Sequence, residues 1–150
     1  MLPIRSLVAL IGQLFSVSIP PQIHYTHPTP VEIVRSRGQV REPKVLTVGR
    51  PGAPVEGDAI FVSSLPGFVG PRELPRLLQV LISHLQANPD VPVVVECLEY
   101  LALHNGFESL LKFLNTLRDY AILHGGRVYL VTDPSAWTER EYALLEGLTF

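Results

Sequence analysis

Apolar residues recur at three- and four-residue steps along several stretches of the chain, the spacing that gathers side chains on one face of a helix. The first is Ile4, Leu7, Val8, Ile11, Leu14 and Phe15, which predicts a helix over about residues 3–17. A second, Leu74, Leu77, Leu78, Leu81, Ile82 and Leu85, is opened by Pro71-Arg72-Glu73 and closed by Asn88-Pro89. The third runs from Phe107 to Leu123, with Leu110, Leu111, Leu114, Leu117, Ala121 and Ile122 inward and Gly125-Gly126 as its stop. A last short helix, Thr138 to Leu145, carries capping-box spacing between Thr138 and Glu141. Between these lie apolar runs without helical period. Val91–Val95 and Val128–Thr132 read as strands buried on both faces, and Ala59–Val62 as a shorter one of the same kind. Val31–Val34 and Val45–Val48 read as strands on their β-branched content, joined through a turn at Ser36-Arg37-Gly38.

Strand and helix in alternation predict an α/β fold, a parallel sheet core layered with helices through right-handed crossovers. The segment from residue 20 to 57 is dense in proline and excludes regular helix, so it reads as a connection holding short extended pieces. With 150 residues, of which 47% are hydrophobic and 17% charged, the chain is read as one α/β domain, residues 1–150, with a generous core. A net charge of -2 argues against a nucleic-acid or anionic-membrane surface driven by overall charge. A single cysteine, Cys97, excludes an internal disulfide framework and a cysteine-rich zinc site and fits a reducing cytoplasm. The apolar N-terminal run is a poor secretory signal: Arg5 crowds it, no small-x-small cleavage site follows, and Pro20-Pro21 ends it short of a membrane span.

The composition does not name a chemistry, and the motifs bear on it one by one. A phosphate loop needs a lysine between strand and helix, but Lys44 lies in Glu42-Pro43-Lys44 and Lys112 inside a helix. Gly52-Ala53-Pro54-Val55-Glu56-Gly57 has the glycine spacing of such a loop, yet Asp58 stands where the lysine should be and a strand follows. Gly-x-Gly-x-x-Gly, Gly-x-Ser-x-Gly and His-Glu-x-x-His do not occur. Open parallel sheets place ligands at the carboxyl ends of their strands, and those ends are polar here: Ser63 and Ser64, Glu96, and Asp133. If their strands are neighbours these four side chains line one edge, and Glu96 with Asp133 could hold a hard cation or act as a proton-transfer pair. The plainer reading is that Asp133 serves the Pro134-Ser135 turn and Glu96 meets backbone amides or an arginine.

The other polar candidates read as structural. His24 and His27 flank Tyr25-Thr26 without a third ligand, and His84 and His124 suit helix C-termini. His104-Asn105-Gly106 reads as a turn, with Asn105 capping the helix that begins at Phe107. Cys97 reads as a small buried hydrophobe, and Trp137 and Tyr142 as aromatics packed against the sheet rather than a base-stacking pair. No catalytic residue, metal ligand or cofactor is assigned.

Leu98-Glu99-Tyr100-Leu101, His104-Asn105-Gly106-Phe107-Glu108, Leu111-Lys112-Phe113-Leu114 and Leu117-Arg118-Asp119 form a specific series. With Val93-Val94-Val95-Glu96 before it and Thr132 through Glu141 and Leu144-Leu145-Glu146 after it, the series resembles the domain-of-unknown-function family 835 over about residues 45–146. The resemblance implies a fold like a reduced RecA-type domain without a P-loop, often found beside sensor and response-regulator modules. It transfers no activity and no catalytic residue. In that comparison Val93–Glu96 looks like the acidic strand that positions magnesium. The N-terminal helix takes the place that follows a phosphate loop, and the loop itself is expected to be lacking.

Two functions compete. The first is a non-catalytic regulatory or protein-interaction module of signalling type, with self-association or another protein as partner and neither nucleic acid nor membrane. The second is a divalent-cation-dependent enzyme or ligand binder using the strand-end carboxylates. Between Ser6 and Ser18 there is no charged residue, so the outer face of the N-terminal helix, Ala9, Gly12, Gln13 and Ser16, is expected to be a homodimer interface.

Overall fold

A computed structural model describes residues 29–52, 55 and 57–150. The expected N-terminal helix with its interface residues Ala9, Gly12, Gln13 and Ser16, and the pair His24 and His27, lie outside the described residues. Five strands form one all-parallel sheet: β1 (Val31–Val34), β2 (Leu46–Gly49), β3 (Asp58–Phe61), β4 (Val93–Val95) and β5 (Val128–Val131), in the order β1-β5-β4-β2-β3. The valine run supplies the central strand. Val93, Val94 and Val95 have no exposed surface, with Val93 in register with Leu46 on one side and Val128 on the other. Nothing polar would be tolerated there without a partner.

Four helices follow: α1 (Leu74–Ala87), α2 (Leu98–Asn105), α3 (Phe107–His124) and α4 (Glu139–Glu146). The connections from β3 to β4 and from β4 to β5 step across the sheet in the same direction, so right-handed crossover puts α1 and α3 on one face, packed against each other. Leu77, Leu81 and Leu85 of α1 and Leu110, Phe113, Leu114 and Leu117 of α3 bury there, over Val93, Val95, Val128 and Leu130. Phe113 joins the inward set expected for α3, while Leu111 and Ile122 are only half-buried. Gly125 ends α3 at φ +72, a left-handed conformation that a side chain would strain. Thr138 caps α4 with the reciprocal Glu141 contacts its spacing predicts.

The opposite face carries a second cluster, Val34, Val45, Val94 and Tyr129, with Val40 and Val131 against it. The connection from β1 to β2 crosses this face and is bonded to it. Its single 3-10 turn, Arg37–Gln39, sends Arg37 to Thr47, and further along Glu42 accepts a 2.7 Å hydrogen bond from the Tyr129 hydroxyl. Arg127 closes the group by pairing with Glu32 at 3.0 Å and Glu42 at 3.5 Å.

Three expectations are corrected. The strand read as buried at Ala59–Val62 is the sheet's edge: β3 begins at Asp58 and its residues to Phe61 are exposed or half-buried, because β2 covers only one of its sides, and only Val62 just beyond it is buried. The stretch after β4 is helical from Leu98 to Asn105, an element the periodicity hides because Leu98 and Leu101 are buried while Leu103 of the same helix is exposed and Tyr100 only half-buried. Asn105 therefore does not cap α3. It is the last residue of α2, and its side-chain amide donates to the carbonyls of Pro71 at 2.7 Å and Leu101 at 2.8 Å, tying α2 to the entry of α1. The turn between α2 and α3 is made by Gly106 alone, at φ +82.

Candidate functional site

In a parallel sheet every strand ends at the same edge, and the crevice for a ligand opens where neighbouring strands send their chains to opposite sides. Here that point lies between β4 and β2: the chain leaves β2 for β3 on one side and β4 for β5 on the other. Arg50 follows β2, Glu96 and Cys97 follow β4, Thr132 and Asp133 follow β5, and Arg35 and Arg37 follow β1.

Glu96 meets an arginine. Its Oε2 accepts a 2.8 Å hydrogen bond from Arg37 Nη1, which also donates to Thr47 Oγ1 at 2.8 Å, so one guanidinium joins the β1–β2 connection to two central strands. The 3-10 turn holding Arg37 is fixed by Gln39, whose Oε1 accepts from the backbone N–H of Arg35 at 2.6 Å and Ser36 at 3.2 Å. Asp133 serves its turn: Oδ1 accepts from the Ser135 N–H at 2.9 Å and caps the 3-10 turn Pro134–Ala136. The Ser135 backbone N–H, then its hydroxyl, and then Arg35 hold the Asp133 carboxyl below the ordinary carboxylate range. Ser63 is buried, with its hydroxyl accepting from the Leu65 N–H at 3.1 Å, and Ser64 is exposed. β2 separates β3 from β4, so the serines do not share a crevice with Glu96 and Asp133, although all four stand at the carboxyl edge. Among the described residues no three of His, Cys, Asp and Glu come together as a metal-binding group.

Two polar groupings at this edge escaped the sequence reading, both through α2. The buried Thr132 hydroxyl donates to Glu99 Oε2 at 2.5 Å and accepts from Trp137 Nε1 at 2.8 Å, so the tryptophan is oriented by a hydrogen bond as well as by its edge contact with Phe107. On the other side of α2 the Arg50 guanidinium lies 3.6 Å over the Tyr100 ring, and Tyr100 meets the His104 ring edge-on at 4.6 Å. The only available signal was the Leu98-Glu99-Tyr100 and His104-Asn105 series itself. Two hollows lie away from this edge, one at the opposite end between Lys44, Val45 and Asp58, the other along β1 between Ile33, Tyr142 and Glu146. The remaining histidines among the described residues are structural: His84 Nε2 is 2.8 Å from the Val91 carbonyl oxygen, and His124 stacks on Tyr120.

Cys97 is 4% exposed, and burial pushes its thiol from the ordinary 9.0 up to about 12, against the opposing pull of Arg50. A thiol so raised is almost entirely protonated at neutral pH and is a poor nucleophile. Iodoacetamide at neutral pH is therefore expected to leave the folded chain unmodified in intact-mass measurements and to label it once denaturant is added. Immediate labelling without denaturant would contradict the buried, protonated thiol.

No curated protein matches the chain. No helix among the described residues is long and apolar enough to cross a membrane. Residues 33–148 match the model of a family described as a protein of unknown function, DUF835, a span that begins earlier than the Val45 suggested by motifs and takes in the second half of β1. Because that match covers the sheet but for the first two residues of β1, all four helices and the whole carboxyl edge, the chain belongs to the DUF835 family.

Proposed function

We propose that this chain is a non-catalytic regulatory or protein-interaction module of signalling type. The observation that supports this most is the fate of Glu96, the carboxylate best placed for chemistry, at the crevice between β4 and β2. Its charge is met by Arg37 at 2.8 Å, and that arginine also holds Thr47, so the contact belongs to the scaffold. A carboxylate used this way is a poor ligand for a cation, since binding would first have to release a guanidinium that fastens the β1–β2 connection. Asp133 is likewise spent on its own turn. The exposed apolar residues near this edge, among them Leu65 and Leu103, fit contact with another protein better than contact with a small polar substrate.

Calorimetric titration of the full chain with magnesium, manganese, ATP and GTP tests the reading. Binding no tighter than on the order of millimolar is expected for each, because no lysine meets a phosphate and the carboxylates are engaged. Micromolar affinity for a divalent cation that Glu96→Gln abolishes would overturn the reading in favour of a cation-dependent site.

A further inference from the structure

The outer face of α2 does not look like the surface of an ordinary helix. Side chains advance by about 100° per residue around a helix. With Leu98, Leu101 and Asn105 turned to the protein, Leu103 therefore occupies the outermost position, with exposed Glu99 on one flank and half-buried Tyr100, then His104, on the other. The contacts agree. Leu98 and Leu101 are fully buried, Leu103 is 79% exposed, Glu99 reaches Thr132 at the end of β5, and Arg50 from the end of β2 lies on Tyr100. A helix so placed is expected to show charge to water at its outermost position, and this one shows a leucine there, with its one exposed charge, Glu99, on the flank.

The charges at the two flanks are opposite and incompletely used. On the β5 side, Glu99 accepts from Thr132 through Oε2, and Oε1 has no partner among the described residues. On the β2 side, the Arg50 guanidinium is stacked on Tyr100, an arrangement that leaves its N–H edge open, and no described carboxylate lies within ion-pair distance of it. The sheet order sets these charges on opposite sides of α2, because β5 and β2 are the two neighbours of β4.

We propose that this face is a self-association surface on which a second copy lays its own α2 alongside, parallel, about a twofold axis running along the helices. That axis exchanges the two flanks while keeping the level along the helix. Leu103 then meets its counterpart, and Glu99 of each copy faces Arg50, stacked on Tyr100, of the other. An antiparallel twofold keeps each flank on its own side, so it would bring Arg50 opposite His104 and leave Glu99 unpaired. Charge complementarity thus selects the parallel arrangement, and the interface is isologous as closed dimers require. A tyrosine and an arginine held in place by each other, beside an exposed leucine, form the kind of pre-ordered cluster that carries binding energy. The surface is small, which sets the expected dissociation constant on the order of micromolar. The inference rests on the reading of the chain as an interaction module and names the surface and the partner.

Sedimentation of the full chain across the micromolar range tests it, with Arg50→Glu, Glu99→Arg, the double exchange of both, and Leu103→Asp. The wild type is expected to dimerise, each single variant to weaken the dimer by roughly tenfold or more, and the double exchange to recover most of the loss. Recovery is decisive, since a variant that merely disturbs the Thr132 or Tyr100 contact would not be rescued by the second change. Should Glu99→Arg unfold, Leu103→Asp still decides, because its side chain is exposed and the fold does not need it. A dimer that Leu103→Asp leaves unchanged would overturn this surface while leaving the interaction reading standing. Failure of the double exchange to recover association by folded chains would overturn the parallel pairing. A wild type that stays monomeric throughout would overturn self-association itself, whereas the interaction reading falls only to tight binding in the calorimetric titration.

Discussion

Truncating Leu101 to alanine is expected to cost about 2–5 kcal/mol of folding stability, whereas the same change at Leu103 is expected to cost less than about 0.5 kcal/mol. Both are leucines of α2, two positions apart, and helix propensity treats them alike. Leu101 has no exposed surface and packs within the main core cluster, so removing its side chain leaves a cavity that well-packed neighbours fill only partly. Leu103 is 79% exposed and has little packing to lose. Against a total stability of about 5–15 kcal/mol for an ordinary domain, the first change is large enough to threaten folding at elevated temperature. Urea denaturation of both variants gives the comparison directly. Equal losses would mean that the outer face of α2 is packed rather than open, and would remove the basis for treating it as a contact surface.

That contrast also marks where the sequence was legible and where it was not. The periodicity of α1 and α3 follows from one apolar face and one polar face, and the central strands follow from valine runs that only a doubly covered sheet accommodates. α2 satisfies neither rule, because apolar side chains project from both its faces and the helical period disappears. Missing it moved Asn105 from the end of one helix to the start of the next, since a turn reading of His104-Asn105-Gly106 needs no helix before it. Strand order is not a local property either. Ala59–Val62 looks like a buried strand on composition, and only the insertion of β2 between β3 and β4 places it at the edge and takes Ser63 and Ser64 away from Glu96. The turn role of Asp133 was readable from Pro134-Ser135 two residues away, but the partner of Glu96 is Arg37, far back along the chain, which no spacing announces.

The other large effect is expected at high pH and falls on the opposite face of the sheet. Tyr129 is buried at 1% exposure and donates its hydroxyl proton to Glu42 at 2.7 Å. Burial first, and that hydrogen bond second, push its phenol from the ordinary 10.0 up to about 12, only partly offset by Arg127. A phenol whose pKa is higher in the folded than in the unfolded chain favours folding while it is neutral there. Its contribution is therefore complete below pH 10 and disappears as the pH rises through about 12. A gap of that size corresponds to about 2–3 kcal/mol, lost over the same interval. Ionising the phenol would set a phenolate against Glu42 and take away the proton that joins β5 to the β1–β2 connection. Tyr129→Phe cannot ionise. It gives up the hydrogen bond, at about 1 kcal/mol, but keeps the ring packed among Val34, Val45 and Val94. The wild type is thus expected to be the more stable chain near neutrality and to lose that advantage in alkali, with the two curves of urea midpoint against pH converging or crossing between pH 10 and 12. Parallel curves across that interval would mean that the Tyr129 hydroxyl titrates alike in the folded and unfolded chain, and that Glu42 does not hold its proton.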